Sequence, residues 1–212
     1  KTYQWPQTES NNPDLQRLKT SLKAIQAPAN LTKLDFTLGT NTSSDLRYAL
    51  SKLKHLQNIS SLDFNLLKEY NLAEPLKEKL TYSNSKLISQ TLSALKNLTH
   101  LHFKTPSGLI FLPQHISTLS SALKRLPHLS HLSLHLHSPW CSQDTILEKI
   151  ALLLKNIPQL QSLTLDLKDF PISSKSTSDQ GLQYLSFALK NLPLLSQLNI
   201  TIINQINQDQ GF

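Results

Sequence analysis

In Leu126-Pro127-His128-Leu129-Ser130-His131-Leu132-Ser133-Leu134-His135-Leu136-His137, an apolar residue stands at every third position and then at every second. The first period places apolar side chains on one face of a helix, and the second alternates them across a strand. The stretch therefore predicts a helix end that leads into a β-strand. Five relatives predict a repeat array, namely LTKLDFTL from Leu31, ISSLDFNL from Ile59, LTHLHFKT from Leu98, LQSLTLDL from Leu160 and LSQLNITI from Leu195.

The first leucines of the predicted strands set the length of the repeat. They lie 28, 39, 31, 31 and 35 residues apart, at Leu34, Leu62, Leu101, Leu132, Leu163 and Leu198. Between strands, apolar residues at helical spacing predict one helix per repeat, as in Leu147, Ile150 and Leu154 after Asp144. Repeats of roughly 20 to 50 residues are typical of solenoids. The predicted fold class is α/β, with a parallel sheet on the concave side and helices on the convex side.

The repeats define one predicted domain. We expect a single solenoid over residues 13–203, a polar lead-in over 1–12 and a polar tail over 204–212, because neither end shows the apolar alternation. A first helix is predicted from Asn12 or Pro13, and extra helical turns after Pro75. No polar cap follows the last strand, so we expect further chain or a neighbouring molecule to cover the last repeat.

Asparagines stand where the predicted helices end. Asn97, Asn156 and Asn191 each follow a lysine. Asparagine is the usual substitute for glycine in a left-handed helix cap, and a lysine is favourable beside the carboxyl end of a helix. The sequence has only four glycines, so we expect these asparagines to end their helices in that conformation.

Composition limits the class of protein. No run approaches the roughly 20 apolar residues of a membrane-spanning helix. Cys141 is the only cysteine, which excludes an internal disulfide and a thiolate zinc cluster. We expect a soluble protein of a reducing compartment, cytosolic or delivered into a host cytosol. The chain begins with Lys1 and has no methionine, which we interpret as a processed or partial chain.

The net charge of +7 comes from 21 lysines and arginines against 14 acidic residues. Phosphate binding needs cations that converge on one surface. Most cations here fall on the predicted polar sides of successive helices, so we interpret them as a solvated outer surface. A nucleic-acid or acidic-surface binder remains the alternative that the charge allows.

The segments ALKNLTHLHF, ALKRLPHLSHLSLHL, LLKNIPQLQSLTLDL and ALKNLPLLSQLNI resemble leucine-rich repeats of the long kind typified by ribonuclease inhibitor. The resemblance covers about Leu31 to Ile202. It implies a horseshoe-shaped, non-catalytic scaffold whose concave face binds another protein, sometimes an enzyme that it inhibits. The composition, rich in Lys, Asn, Gln, Ser and His, also resembles leucine-rich-repeat effectors of Legionella-type intracellular bacteria.

The chain departs from that family at the end of each strand. The family's usual asparagine would fall on Gly39, Leu67, Pro106, His137, Lys168 and Ile203. The asparagine ladder is therefore absent, and we expect the turns after the strands to be satisfied by other groups.

Alternation along the strands predicts which side chains face a partner. The residues between the core leucines form three columns on the concave face. The candidate partner-binding residues are Asp35, Asp63, Asn65, His100, His102, Lys104, His131, Ser133, His135, Asp166 and, at the rim, Trp140. Carboxylates at one end and imidazoles in the centre predict a face with an acidic end and a centre that can become basic. Trp140 is equally compatible with closing the edge of the core.

Four histidines of these columns, His100, His102, His131 and His135, could converge on a metal ion. No carboxylate or thiolate stands among them, so we predict no metal site and interpret them as a pH-sensitive or aromatic contact surface, or as solvated side chains. His115 and His128 lie outside the columns and are predicted at the surface.

Catalysis is not predicted. Cys141, His137 and Asp144 are near one another in sequence, but Cys141 has no recognisable nucleophile setting. There is no GxGxxG and no GxxxxGK[ST] motif, so no cofactor is predicted. The predicted function is a non-catalytic protein-binding module, with inhibition of a partner enzyme as one form that the binding can take. A substrate-recruiting adaptor of a ubiquitin-ligase-like protein is a further alternative.

Overall fold

The computed structural model describes residues 2–4, 31–39, 43–67, 82–105, 112–137, 142–168 and 179–203. The predicted first helix, the predicted turns after Pro75 and the polar tail lie outside these ranges, as do Trp140 and Cys141. Within the described ranges, no helix combines the length and the apolar character that crossing a membrane requires.

Strands and helices alternate along the chain, as the repeat predicts. The helices are α1 (Ser43–Leu53), α2 (Tyr82–Ala94), α3 (Pro113–Leu123), α4 (Gln143–Leu154) and α5 (Gln180–Lys190). The strands are β1 (Thr2–Gln4), β2 (Lys33–Gly39), β3 (Ser61–Leu67), β4 (His100–Lys104), β5 (His131–His137), β6 (Ser162–Lys168) and β7 (Gln197–Ile203). The described strands form one parallel sheet in the order of the sequence. The predicted α/β repeat fold is confirmed.

Strand β1 lies within the predicted lead-in and was not expected from the sequence. It pairs in parallel with β2, with Thr2 opposite Lys33 and Gln4 opposite Asp35. Three residues are too few to show an alternation of apolar and polar side chains in the sequence. The strand is recognised only by its pairing with the edge of β2. The sheet therefore extends one strand beyond the predicted solenoid.

The core lies between the sheet and the helices. Inward-facing residues of β2 to β6 are buried together with apolar residues of the helices, and Ile200 and Ile202 of β7 are partly buried against them. Three phenylalanines of adjacent strands stack: the ring centroids of Phe36 and Phe64 are 5.4 Å apart, and those of Phe64 and Phe103 are 5.7 Å apart. Burial of each such side chain contributes on the order of 1.5–3 kcal/mol, so the repeated apolar positions hold helix and strand together.

A row of polar residues stands immediately before the strands and connects the repeats. The carbonyl oxygen of Thr99 accepts hydrogen bonds from the backbone N–H groups of Ser130 and His131, each at 2.9 Å. The Thr99 hydroxyl donates in turn to the carbonyl of Ser60 at 2.9 Å. The same backbone pattern is repeated along the row, which consists of Thr32, Ser60, Thr99, Ser130, Gln161 and Ser196. This row ties each strand start to the next repeat.

At the end of β4, the buried Thr105 satisfies backbone groups of the next strand. It stands one position before Pro106, where the family pattern has asparagine. The backbone N–H of Thr105 donates to the carbonyl of His135 at 2.9 Å. The Thr105 hydroxyl accepts from the N–H of His137 at 3.1 Å. One strand exit is thus satisfied by a hydroxyl group, in agreement with the expectation that other groups replace the asparagine ladder.

The prediction of a left-handed cap is wrong at Asn191. Its φ is −95°, whereas the left-handed conformation needs a positive φ. Its side-chain amide donates to the carbonyl of Phe187 at 2.8 Å, so a terminal carbonyl is satisfied without a left-handed backbone. The amide of Asn156 donates to the hydroxyl of Ser120 in the preceding helix at 2.9 Å. The Asn97 amide donates to a backbone carbonyl of the preceding repeat. These asparagines tie helix ends to their own turn or to the neighbouring repeat.

Candidate functional site

The sheet face opposite the helices, here called the free face, carries the polar side chains that alternate with the core residues. The observed pairing places them in the three predicted columns, and the register is as predicted in every strand from β2 to β7. The first column is Lys33, Ser61, His100, His131, Ser162 and Gln197; the second is Asp35, Asp63, His102, Ser133, Thr164 and Asn199; the third is Thr37, Asn65, Lys104, His135, Asp166 and Thr201. Their role in binding stays a prediction.

Two histidines stack at the start of the central strands. The ring centroids of His100 and His131 are 4.0 Å apart, with the ring planes 13° from parallel. The Nδ1 atom of each ring contacts the hydroxyl of the residue before it: Thr99 at 2.8 Å for His100, and Ser130 at 2.9 Å for His131. Thr99 and Ser130, two members of the row of polar residues that connects the repeats, therefore also orient the two stacked imidazoles.

A chain of side-chain hydrogen bonds crosses the centre of the free face from β4 to β6. His102 Nδ1 lies 3.0 Å from Ser133 Oγ, Ser133 Oγ lies 3.0 Å from His135 Nε2, and His135 Nδ1 lies 3.0 Å from Asp166 Oδ2. We call these four residues the His–Ser–His–Asp chain. The rings of His102 and His135 are also in tilted contact, with centroids 4.6 Å apart.

The direction of these hydrogen bonds follows from the carboxylate at the end of the chain. An ionised Asp166 only accepts, so His135 donates from Nδ1, and in the neutral ring its Nε2 is then an acceptor. The Ser133 hydroxyl then donates to His135 Nε2 and accepts from His102 Nδ1–H. With both imidazoles neutral, each of the four residues takes part in at least one of these hydrogen bonds, and the directions agree along the whole chain of contacts.

The contacts among Ser133, His135 and Asp166 follow the order of a serine-hydrolase triad. Sequence reasoning considered Cys141 with His137 and Asp144 and missed this set, because its members come from two strands and only the register brings them together. Strand β5 is paired on both edges in the described sheet, which leaves no strand edge there to supply the backbone N–H pair of an oxyanion hole. The arrangement polarises a hydroxyl on an open sheet surface.

The acidic end of the free face consists of Asp35 and Asp63, which are paired across β2 and β3. The Lys33 ammonium lies 4.0 Å from the Asp63 carboxylate. One buried oxygen of Asp35, Oδ1, has no hydrogen-bond partner among the described residues. An acceptor that is out of contact with water and unpaired lowers the stability of the fold.

Burial lowers the pKa of two histidines at the centre of the free face, His100 and His102. Burial lowers the pKa of His102 below its usual 6.5, and the neighbouring His135 lowers it further, while the two carboxylates of the acidic end oppose the shift. Burial also lowers the pKa of His100, together with the nearby His131 and Lys33. The predicted basic centre therefore requires acidic conditions.

The remaining histidine predictions differ in outcome. His128 is exposed, as predicted. The surface prediction for His115 is wrong: only 2% of this residue is exposed, and its Nδ1 accepts a hydrogen bond from the Leu112 N–H at 3.0 Å. Its position in the first turn of α3 explains this, since the imidazole satisfies an N–H group that precedes the helix. Burial lowers the pKa of His115.

Asp144, which the sequence places near His137 and Cys141, does not join the free face. Asp144, at the start of α4, accepts a hydrogen bond from the N–H of Gly181 in α5 and so connects two helices. Trp140 and Cys141 lie outside the described residues, so the rim anchor stays a prediction. Among the described residues, no group of three or more His, Cys, Asp and Glu side chains is arranged to hold a metal ion.

Comparison with known proteins identifies the fold. No protein-family model and no curated protein matches the chain. Actin-binding site 2 of leiomodin-1 matches with a TM-score of 0.51 at 16% identity, over 87% of this chain and 91% of that chain. The tropomodulin C-terminal domain of Caenorhabditis elegans matches with a TM-score of 0.51 at 12% identity, over 84% and 93%. At these identities the similarity shows the fold alone.

These matches correct the resemblance drawn from the sequence. The similar structures are leiomodin and tropomodulin domains, and they give no support to a protein of the ribonuclease-inhibitor type or to a Legionella-type effector. The repeated leucines specify a helix–strand unit that different solenoids share. The missing asparagine ladder was the one feature that separated this chain from the family named.

Proposed function

We propose that the chain is a non-catalytic protein-binding module that contacts a folded partner through the free face. The observation that supports this most is the His–Ser–His–Asp chain, which holds four polar side chains from three strands in one arrangement. Its members come from neighbouring strands about 4.8 Å apart, close enough to contact one partner together. Because they are fixed before binding, little side-chain entropy is lost when a partner is bound.

The charged residues beside the His–Ser–His–Asp chain are suited to a polar surface on the partner. Lys104 is exposed beside it, and the acidic end with Asp35 and Asp63 lies on the other side. A partner with both a carboxylate and a donor group would pair with these charges. Charge pairs of this kind set the orientation of a complex and its rate of formation more than its affinity.

Actin is the first partner to test. One of the similar structures carries the name of an actin-binding site, and the fold is shared along most of both chains. A second line of support is that a module of net charge +7 suits an acidic protein surface. Inhibition of a partner enzyme and recruitment within a larger ligase are two further outcomes of the same proposed binding.

The first test measures binding to actin monomers and to filaments, followed by affinity capture if neither binds. We expect His102→Ala, Lys104→Ala, His135→Ala and Asp166→Ala each to weaken capture of the partner by roughly fivefold or more, typical of truncations worth 1 kcal/mol or more. Matched controls are His128→Ala and Lys54→Ala, both exposed and outside the free face.

Circular dichroism of each variant separates loss of binding from loss of folding. Unchanged capture by all four free-face variants would show that the partner binds elsewhere. A steep dependence on salt, together with binding to generic polynucleotide, would favour the nucleic-acid alternative instead.

A further inference from the structure

One face of α5 is open among the described residues, whereas the same face of earlier helices is covered. Leu182 of α5 is 47% exposed. The equivalent residues Ile116 in α3 and Leu147 in α4 are both 0% exposed, because a further helix packs against each of these helices. Of the six large apolar side chains that are exposed among the described residues, five lie in or after α5: Leu182, Tyr184, Phe187, Leu194 and Leu198. Such a concentration of exposed apolar residues marks an interaction surface.

A groove of about 480 Å³ runs along this face of α5. Its lining residues recur every three or four positions and so form one stripe along the helix, which consists of Asp179, Leu182, Gln183, Ser186, Phe187 and Lys190. A carboxylate stands at one end of the stripe and an ammonium group at the other. The Asp179 side chain makes no capping hydrogen bond with its own helix, so its carboxylate can accept from a group outside it.

The stripe is complementary to itself when it is read in the opposite direction. About its midpoint, between Tyr184 and Leu185, each lining residue has a counterpart of matching chemistry. The pairs are Asp179 with Lys190, Leu182 with Phe187, and Gln183 with Ser186. Two α5 helices packed antiparallel about a two-fold axis at this midpoint pair opposite charges at both ends and apolar side chains between them. Self-complementarity of this kind is what a two-fold interface between identical chains requires.

Strand β7 lies at the same edge of the array and favours the same occupant. It is the last strand of the described sheet, so one of its backbone edges has no partner strand among the described residues. Proteins usually protect such an edge with charged residues, proline or a short strand. Strand β7 has seven residues without a charge or a proline, whereas the opposite edge strand β1 has only three residues.

The helix and the strand are compatible with one symmetry axis. In a helix–strand repeat with parallel strands, each helix returns the chain and therefore runs opposite to the strands. The axis that makes two α5 helices antiparallel consequently makes two β7 strands antiparallel as well. Both uncovered elements of this edge can thus face their own copies at the same time.

We propose that α5 and β7 form the interface of a symmetric dimer of this chain. In the dimer, Asp179 of each copy faces Lys190 of the other copy, and the two β7 edges are covered. One helix and one strand edge make a small interface, so we expect a dissociation constant on the order of 10 µM and a monomer in dilute solution. The proposal does not depend on the function proposed for the free face, because the His–Ser–His–Asp chain lies in β4 to β6.

Sedimentation velocity of the chain of 212 residues, from about 1 µM to about 500 µM, tests for the dimer. We expect the monomer to convert to a dimer over this range without larger species, because a two-fold interface is closed. A chain that stays monomeric at the highest concentration would leave this edge to another segment or another partner and would overturn the proposal. Growth beyond the dimer would show a head-to-tail contact and would equally overturn it.

Charge reversal tests the pairing of Asp179 with Lys190. The variants Asp179→Lys and Lys190→Asp each place like charges at both ends of the interface, so each alone should associate at least about tenfold more weakly. An equimolar mixture of the two variants should recover a dimer, because each introduced charge then meets its opposite. The matched control is Lys124→Asp, the same change at the carboxyl end of α3, and it should associate as the original chain does.

Circular dichroism shows whether each variant is folded. Leu182→Gln keeps both charges and removes the apolar pair, so it should weaken association by a similar factor even if a charge variant does not fold. Association that survives both charge reversals or Leu182→Gln would overturn the proposal, and so would folded charge variants whose mixture stays monomeric. Equal loss in Lys124→Asp would attribute the association to net charge and would also refute it.

Discussion

At the scale of single residues, the tautomer of His135 determines the state of the free face. Asp166 fixes the proton on Nδ1 at a contact of 3.0 Å, and the Ser133 hydroxyl then points to Nε2. Protonation of His102 places a charge in a half-buried position and takes place only below its usual pKa of 6.5. The arrangement that we propose to be ready for a partner is therefore that of the neutral imidazoles.

This dependence gives the first prediction, a loss of stability in mild acid. Burial lowers the pKa of His100, His102 and His115 below 6.5 in the folded chain. The unfolded chain then binds more protons between the lowered pKa and 6.5, so the free energy of unfolding is highest above that window and falls as the pH falls through it. Urea unfolding at about pH 7.5 and about pH 5 measures the difference.

The variant His102→Gln should reduce this loss, because the remaining side chain does not titrate and can still donate to Ser133. The control is His128→Gln, whose side chain is exposed, and it should behave as the original chain. An acid-induced loss that His102→Gln leaves unchanged would mean that His102 is not a source of the pH dependence.

At the scale of elements, the row of polar residues immediately before the strands connects each repeat to the next by backbone and side-chain hydrogen bonds. Leucine spacing predicted each helix and strand and the columns of the free face, because burial acts on every repeat alike. It could not predict β1, the burial of His115 or the role of the asparagines. These depend on individual hydrogen bonds of particular side chains and, for β1, on the pairing edge of β2, and a periodicity does not encode such contacts.

The second prediction concerns this row. Thr99→Val keeps the shape of the side chain but removes the donor to the Ser60 carbonyl and the contact with His100. The free energy of unfolding should fall by about 0.5–1.5 kcal/mol, the net value of a hydrogen bond. Ser93→Ala is the control, because its hydroxyl bonds only within its own helix.

Chemical denaturation of both variants measures the two free energies of unfolding. Capture of a partner by Thr99→Val measures the effect on binding. Since Thr99 orients the stacked His100, we expect weaker binding as well as lower stability. Equal stability of Thr99→Val and Ser93→Ala would show that the row adds nothing beyond the backbone hydrogen bonds.

At the scale of the whole molecule, the described helices and strands pack against those of the neighbouring repeats, so stability is close to a sum of repeat and interface contributions. Central repeats are covered on both sides, while the last described one has α5 and β7 at an open edge. Leu132 in β5 and Leu198 in β7 occupy the same repeat position, yet they are 2% and 51% exposed. The chain should therefore open first at this edge.

The third prediction compares these two leucines, which differ only in their place along the array. Leu132→Ala should lower the free energy of unfolding by about 2–5 kcal/mol, because it creates a cavity in a fully packed repeat. Leu198→Ala should cost less than about 1.5 kcal/mol, because half of its side chain is already in contact with water. Denaturant unfolding measures both, and hydrogen exchange locates where the chain opens. Similar costs would mean that β7 is covered in solution, either by residues beyond Ile203 or by a second copy, and concentration dependence of the Leu198→Ala cost distinguishes the two.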